Sequence, residues 1–191
     1  MIPEYQDGLK RLMKEVQELE SSLLQIPFVS LNEYLALLKA FSIALEPMGP
    51  SFLAYLAAAV SDFHLPLSHM ATHKIQSRDG PLTIELQQVP KVLKVLKSTW
   101  CPQAYIVTFK LETDAALLEK KARAHLDVEN GYGVQAVIGN ILGQHQTKVF
   151  LILAKDSKLV PFEATSDKEL EQDLVAKLAA EHKAYMAAHQ E

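Results

Sequence analysis

One cysteine, Cys101, occurs in the 191 residues of this chain. No intrachain disulfide can form, which fits a reducing compartment. Cys101 sits between Trp100 and Pro102 with no histidine beside it in sequence, so it reads as an ordinary thiol. Positive charge is also short: 19 Lys and Arg stand against 23 Asp and Glu, a net charge of -4. No basic stripe with interleaved aromatics runs along the chain, which argues against a nucleic-acid binder. A mildly negative total still permits local anion binding by a few oriented donors. Long apolar runs are missing. The longest, Phe52 to Val60, falls far short of the ~20 residues that span a bilayer. The opening MIPEYQDGLKRLMKE has no apolar core of the kind a secretory leader carries. These absences predict a cytoplasmic protein with no membrane partner. Glycine is scarce as well: seven in all, with no Gly-rich turn ahead of a helix to cradle phosphates on backbone N–H groups.

What is present reads as a single domain over residues 1–191. Leu9, Leu12, Val16, Leu19 and Leu23 recur at helical spacing and predict a helix over 4–24. QIPFVSL predicts a short strand. Ser30 and Glu33 form a capping box that opens a helix to about Leu45, stopped by Pro47, Gly49 and Pro50. Residues 52–60 lack polar alternation, as a parallel strand covered on both faces does. A long loop over 61–81 follows. LTIELQQV (82–89) alternates and predicts a strand, and Pro90 opens a short helix to about Lys97. AYIVTFKLE (104–112), VQAVIGN (134–140), KVFLILA (148–154) and LVPFE (159–163) read as further strands. Thr113 and Asp114 cap a helix to about Val128. Ser166 with Glu169 makes a second capping box before a long C-terminal helix.

This alternation predicts an α/β fold: a Rossmann-like, doubly wound, largely parallel sheet with helices on both faces. Ligands of such sheets sit outside the carboxyl ends of the strands. Asp62, the Phe109–Glu112 stretch and Asn140 all fall at carboxyl ends of predicted strands. Ahead of Asp62 stand three alanines, residues 57–59, whose small side chains would let a ligand approach the backbone. A tightly packed strand followed by a loop aspartate would leave the same pattern.

Five stretches occur in order: AAAVSDF, HKIQS, VPKVL, FKLETD and GNIL. Together they resemble the eukaryotic phosphopantothenate–cysteine ligases of coenzyme A synthesis, from about residue 3 to residue 184. The resemblance implies ATP-dependent ligation of 4'-phosphopantothenate with cysteine through an acyl-adenylate, giving 4'-phosphopantothenoylcysteine. It implies that Ala58 and Ala59 face the pantothenate arm and that Asp62 contacts substrate. Lys74, in HKIQS, then lies near the reacting carboxyl and phosphate, where a cation stabilises developing negative charge. Phe109 becomes a nucleotide-contacting aromatic, Asn140 a base- or ribose-contacting amide, and Arg123 a further nucleotide contact. Core packing for Phe109 and a turn position for Asn140 are the readings the bare residues also allow.

His64, His69 and His73 fall in a loop broken by Pro66, with no cysteine or acidic cluster to complete a tetrahedral site, so no resident metal is expected. Mg²⁺ is implied only as the companion of ATP. The resemblance also implies a chain that begins after the family's phosphate loop, leaving the sheet incomplete at its amino-terminal end. Two functional readings follow. One is a ligase, whole or split. The other is a non-catalytic fragment or regulatory subunit, as a homodimer or paired with a full-length ligase.

Overall fold

The computed structural model describes residues 3–20, 22–75, 80–144, 146–165 and 169–189. The chain divides into two compact units, residues 1–34 and 35–191. The first holds helix α1 (Pro3–Glu20), an extended connection, and the opening turn of α2 (Leu31–Leu45). The predicted capping box is there. Ser30 Oγ accepts from Glu33 N at 3.2 Å, and Glu33 Oε2 accepts from Ser30 N at 3.0 Å. These bonds hold the Glu33 carboxyl below its ordinary range, chiefly through the backbone N–H groups of Val29 and Ser30. QIPFVSL forms no strand: residues 25–29 are irregular and exposed, with no ladder partner among the described residues.

The second unit is built on a five-stranded sheet. Its strands are β1 (Leu53–Leu56), β4 (Tyr105–Glu112), β5 (Ala136–Ile141), β6 (Lys148–Leu153) and β7 (Asp156–Glu163), in that spatial order. β1, β4 and β5 pair in parallel, while β6 pairs antiparallel with both neighbours. Four of the five strands therefore point the same way. Pro161 lies in β7, whose one ladder in the sheet is with β6. An edge strand tolerates a residue without N–H.

Side chains alternate across the sheet as the pleat requires. Tyr105, Val107, Ile138 and Leu151 form one core with Leu170 and Leu174 of helix α5 (Leu170–Ala188). Ile106, Val137 and Ile152 form the other with Ala122 of helix α4 (Ala115–Leu126) and Leu96 beyond helix α3 (Val92–Val95). The fold is thus α/β and Rossmann-like, with helices on both faces. α4 starts where predicted, because Asp114 Oδ1 accepts from Ala116 N at 2.8 Å. Glycine serves close packing here. A Cβ at Gly131 would fall 1.8 Å from Ala124 O, and one at Gly139 would fall 3.0 Å from Leu118 Cδ2. The one G-x-G of the chain, Gly131 and Gly133, thus closes the turn between α4 and β5 instead of cradling a phosphate.

Several predicted boundaries move. β1 ends at Leu56, and residues 57–60 leave the sheet exposed. The loop after it contains β2 (Phe63–His64) and a short 3-10 turn at Leu67–His69. LTIELQQV yields only β3 (Gln87–Gln88), paired antiparallel with β2. Leu82, Ile84 and Leu86 are exposed, so among the described residues the alternation there meets neither a ladder nor a covering helix. The short helix after Pro90 continues as one wide turn, Leu96–Trp100. Ser166, half of the second predicted capping box, lies outside the described residues; α5 begins at Leu170. No helix among the described residues is long and apolar enough to cross a membrane.

Candidate functional site

Parallel pairing of β1, β4 and β5 sets three carboxyl ends side by side. Leu56 pairs with Thr108, and Leu111 with Asn140. Beyond Glu112 and Ile141 the edge closes with Leu142 N donating to Glu112 O at 2.9 Å. Chain order separates these residues widely, and the sheet topology collects them on one crest.

Ala58 and Ala59 lie in the exposed segment leaving β1, and Asp62 follows, also exposed. The Asp62 carbonyl accepts from Val89 N at 2.9 Å, which ties this segment to the chain after β3. Lys74 is exposed, in the irregular stretch between β2 and β3. Phe109 is half-buried on β4 and meets Tyr55 of β1 edge to face, with centroids 5.2 Å apart. Its packing role is therefore real. Burial raises the pKa of the Tyr55 hydroxyl, with the charge of Glu171 at the start of α5 adding to it.

Asn140 is a strand residue, paired with Leu111 on one side and Val149 on the other, so the turn position is excluded. Its Oδ1 is buried and, among the described residues, has no hydrogen-bond partner. Leaving an acceptor dry and unpaired costs ~1–3 kcal/mol, so such an atom needs an explanation, a ligand being one. By strand alternation Phe109 and Asn140 share the face that α5 covers. Arg123 is not gathered with them. It lies in the last turn of α4, which runs back from the crest, and its Nη2 binds Glu119 Oε1 at 2.5 Å.

One further group stands on this crest. Lys110 and Glu112 alternate onto the face of α4, and Lys121 reaches Glu112 from that helix at 2.8 Å. Lys110 lies 3.5 Å from Glu112. The hydrogen bond from Lys121 chiefly holds the Glu112 carboxyl below its usual range. Below them, His125 Nδ1 lies 3.4 Å from Thr108 Oγ1, and the imidazole packs edge to face on Tyr132. Burial lowers the His125 pKa, and the charge of Lys110 lowers it further. The sequence held a signal for this group: Lys110 and Glu112 are two apart within FKLETD, which places both on one face. Away from the crest, Cys101 is buried, and burial raises its thiol pKa. Among the described residues no group of three His, Cys, Asp or Glu side chains could hold a metal ion, the three loop histidines included.

The family model described as "DNA/pantothenate metabolism flavoprotein C-terminal domain" matches residues 44–182. A phosphopantothenate–cysteine ligase of Homo sapiens is 43% identical over 185 residues, covering 94% of this chain and 58% of its own length. Phosphopantothenate–cysteine ligase 1 of Oryza sativa subsp. japonica is 40% identical over 164 residues, covering 86% and 50%. Among solved structures, a histidine-to-alanine mutant of Cab2 in complex with phosphopantothenate-cysteine superposes with a TM-score of 0.85 at 34% identity. It covers all of this chain and 64% of that one. The chain spans about half the length of the curated relatives it matches.

Proposed function

We propose, for a chain that belongs to the DNA/pantothenate metabolism flavoprotein C-terminal domain family, that it carries the substrate-binding crest of a phosphopantothenate–cysteine ligase. In this reading the carboxylate of 4'-phosphopantothenate attacks the α-phosphorus of ATP and pyrophosphate leaves. The amine of cysteine then attacks the acyl carbon of the acyl-adenylate, the amide forms, and AMP leaves. The observation that carries the reading is the buried Asn140 Oδ1 at the end of β5, without a hydrogen-bond partner among the described residues, on the sheet face it shares with half-buried Phe109. An amide there accepts from a nucleotide amino or hydroxyl group, and an aromatic flanks a base.

The remaining roles are those the family resemblance implies. Ala58 and Ala59 let the pantothenate arm approach exposed backbone, and Asp62 accepts from its hydroxyl or amide. Lys74 stabilises the negative charge that develops on the acyl-phosphate oxygens. Arg123, bound to Glu119 one turn away on α4, would have to release that partner to reach the nucleotide. Mg²⁺ would arrive on the triphosphate, held by phosphate oxygens and water with few protein groups. The protein would work in the cytoplasm as a homodimer or paired with a full-length ligase.

The test is pyrophosphate release by the purified chain with 4'-phosphopantothenate, cysteine, Mg²⁺ and ATP, with CTP run in parallel. Lys74→Ala and Asn140→Ala accompany the wild type. Release that needs every substrate and drops ~100-fold in Lys74→Ala supports the ligase. A loss confined to KM for ATP in Asn140→Ala assigns that amide to the nucleotide. No release from a folded chain sinks catalysis by the chain alone. Should activity then appear on adding a full-length ligase disabled at its own lysine, the partner-subunit reading holds.

A further inference from the structure

The crest carries a second cluster on the face opposite Phe109 and Asn140. Lys121 Nζ lies 2.8 Å from both carboxylate oxygens of Glu112, while Lys110 Nζ lies 3.5 Å from one of them. The Glu112 side chain is 9% exposed and that of Lys110 is 31% exposed. Two ammonium groups thus share one carboxylate, and the trio carries a net charge of +1. Lys121 makes the closer contact, so the surplus positive charge resides on Lys110.

The two flanks of Lys110 differ. Its cross-strand neighbour on β5 is Gly139, over which Leu118 of α4 packs. On the other side the β1 ladder ends with Leu56 opposite Thr108, two residues short of Lys110. Lys110 therefore stands where β1 and β4 part, on the crest where such sheets take their ligands. A fixed cation with a shielded counter-ion is suited to a doubly charged oxyanion. Two charged groups act on this spot: Glu112 on the same strand and Lys121 on α4. His125 and Tyr132 lie beneath, and the field of Lys110 already reaches the imidazole.

We propose that Lys110 contacts a substrate phosphate, and that Lys121 is a positioning residue that occupies Glu112 and so keeps Lys110 available. The proposal rests on the ligase reading and names a residue beyond it. The phosphate has two sources, the triphosphate of ATP and the 4'-phosphate of phosphopantothenate, and the shared chemistry is a phosphate oxyanion.

Calorimetric titration of the full chain with Mg²⁺–ATP and, separately, with 4'-phosphopantothenate distinguishes the sources. Lys110→Met binds one of them roughly tenfold more weakly, and that arm identifies the phosphate. Lys110→Arg recovers most of the affinity. Lys121→Met gives a smaller loss, because Glu112 then turns to Lys110. A structural role alone would not produce the companion signal. In the wild type, the bound phosphate offsets the charge of Lys110 and raises the titration midpoint of His125 in the NMR spectrum. In Lys110→Met the ligand leaves that midpoint unmoved. Unchanged affinity of folded Lys110→Met for both ligands overturns the proposal and leaves the ligase reading standing. A wild type that binds neither ligand overturns both. Should Lys110→Met fail to fold, the wild-type His125 signal decides: a midpoint indifferent to both ligands overturns the proposal.

Discussion

Residues 148–153 and 82–88 are both rich in leucine and isoleucine, yet they end in opposite states. KVFLIL becomes β6, with β5 on one side and β7 on the other, and Leu151 and Ile152 are fully buried. LTIELQQ forms a ladder only at Gln87 and Gln88, and Leu82, Ile84 and Leu86 stay exposed. A strand is stabilised by its cross-strand neighbours and by a covering layer, and its own pattern supplies neither. β6 gains α5 over one face and the α4 side over the other. The 82–86 stretch has no such layer among the described residues. The difference also separates two tasks. The buried sheet holds three strand ends in fixed register, and the exposed excursion between β1 and α3 carries Asp62 and Lys74.

Mutations can break this comparison or sharpen it. The largest effect is expected in the sheet. Leu151→Ala should cost about 2–5 kcal/mol, read from the midpoint and slope of guanidinium unfolding. Gly139→Ala should cost about 1–3 kcal/mol, because the new methyl meets Leu118, which is itself fully buried and has little room to yield. Unchanged stability there would mean that α4 shifts freely over β5.

Acid should act next, through His125. Its folded pKa lies below its unfolded value of about 6.5, because burial, and then Lys110, disfavour the charged ring. Below that pH the unfolded chain binds a proton that the folded chain refuses, so stability falls as pH drops through the unfolded pKa. Above it both states are neutral and the contribution is flat. Unfolding titrations from pH 8 to pH 5 should show this decline, and His125→Gln should flatten it. The smallest effect is expected at Ile84→Lys, within about 0.5 kcal/mol. A loss there comparable to Leu151→Ala would show that 82–86 is buried in solution, and the contrast would collapse.

Much of the sheet half was legible. The strands read at 104–112, 134–140 and 148–154 matched to within two residues, and Ser30 with Glu33 and then Asp114 marked two helix starts that the hydrogen bonds confirm. QIPFVSL and LTIELQQV were misread for one reason: β-branched and alternating residues predict a strand only when a partner strand arrives. At the crest, position was legible and chemistry less so. Asn140 was placed at a strand end by pattern alone. That its Oδ1 is buried without a partner among the described residues depends on the strands of Leu111 and Val149 pairing on both sides. The Lys110–Glu112–Lys121 cluster required α4 to fold back on β4.

The sequence by itself determined the class of the fold, the caps of two helices, and the family resemblance carried by AAAVSDF, HKIQS and FKLETD. These are local or ordered features, written in spacing and in side-chain type. Only the tertiary structure decided which strands pair, in which register, and which polar groups lose their water. Those depend on contacts between residues dozens of positions apart. Asn140 differs from any other strand-end amide because two neighbouring strands bury its oxygen and leave it nothing to accept from among the described residues.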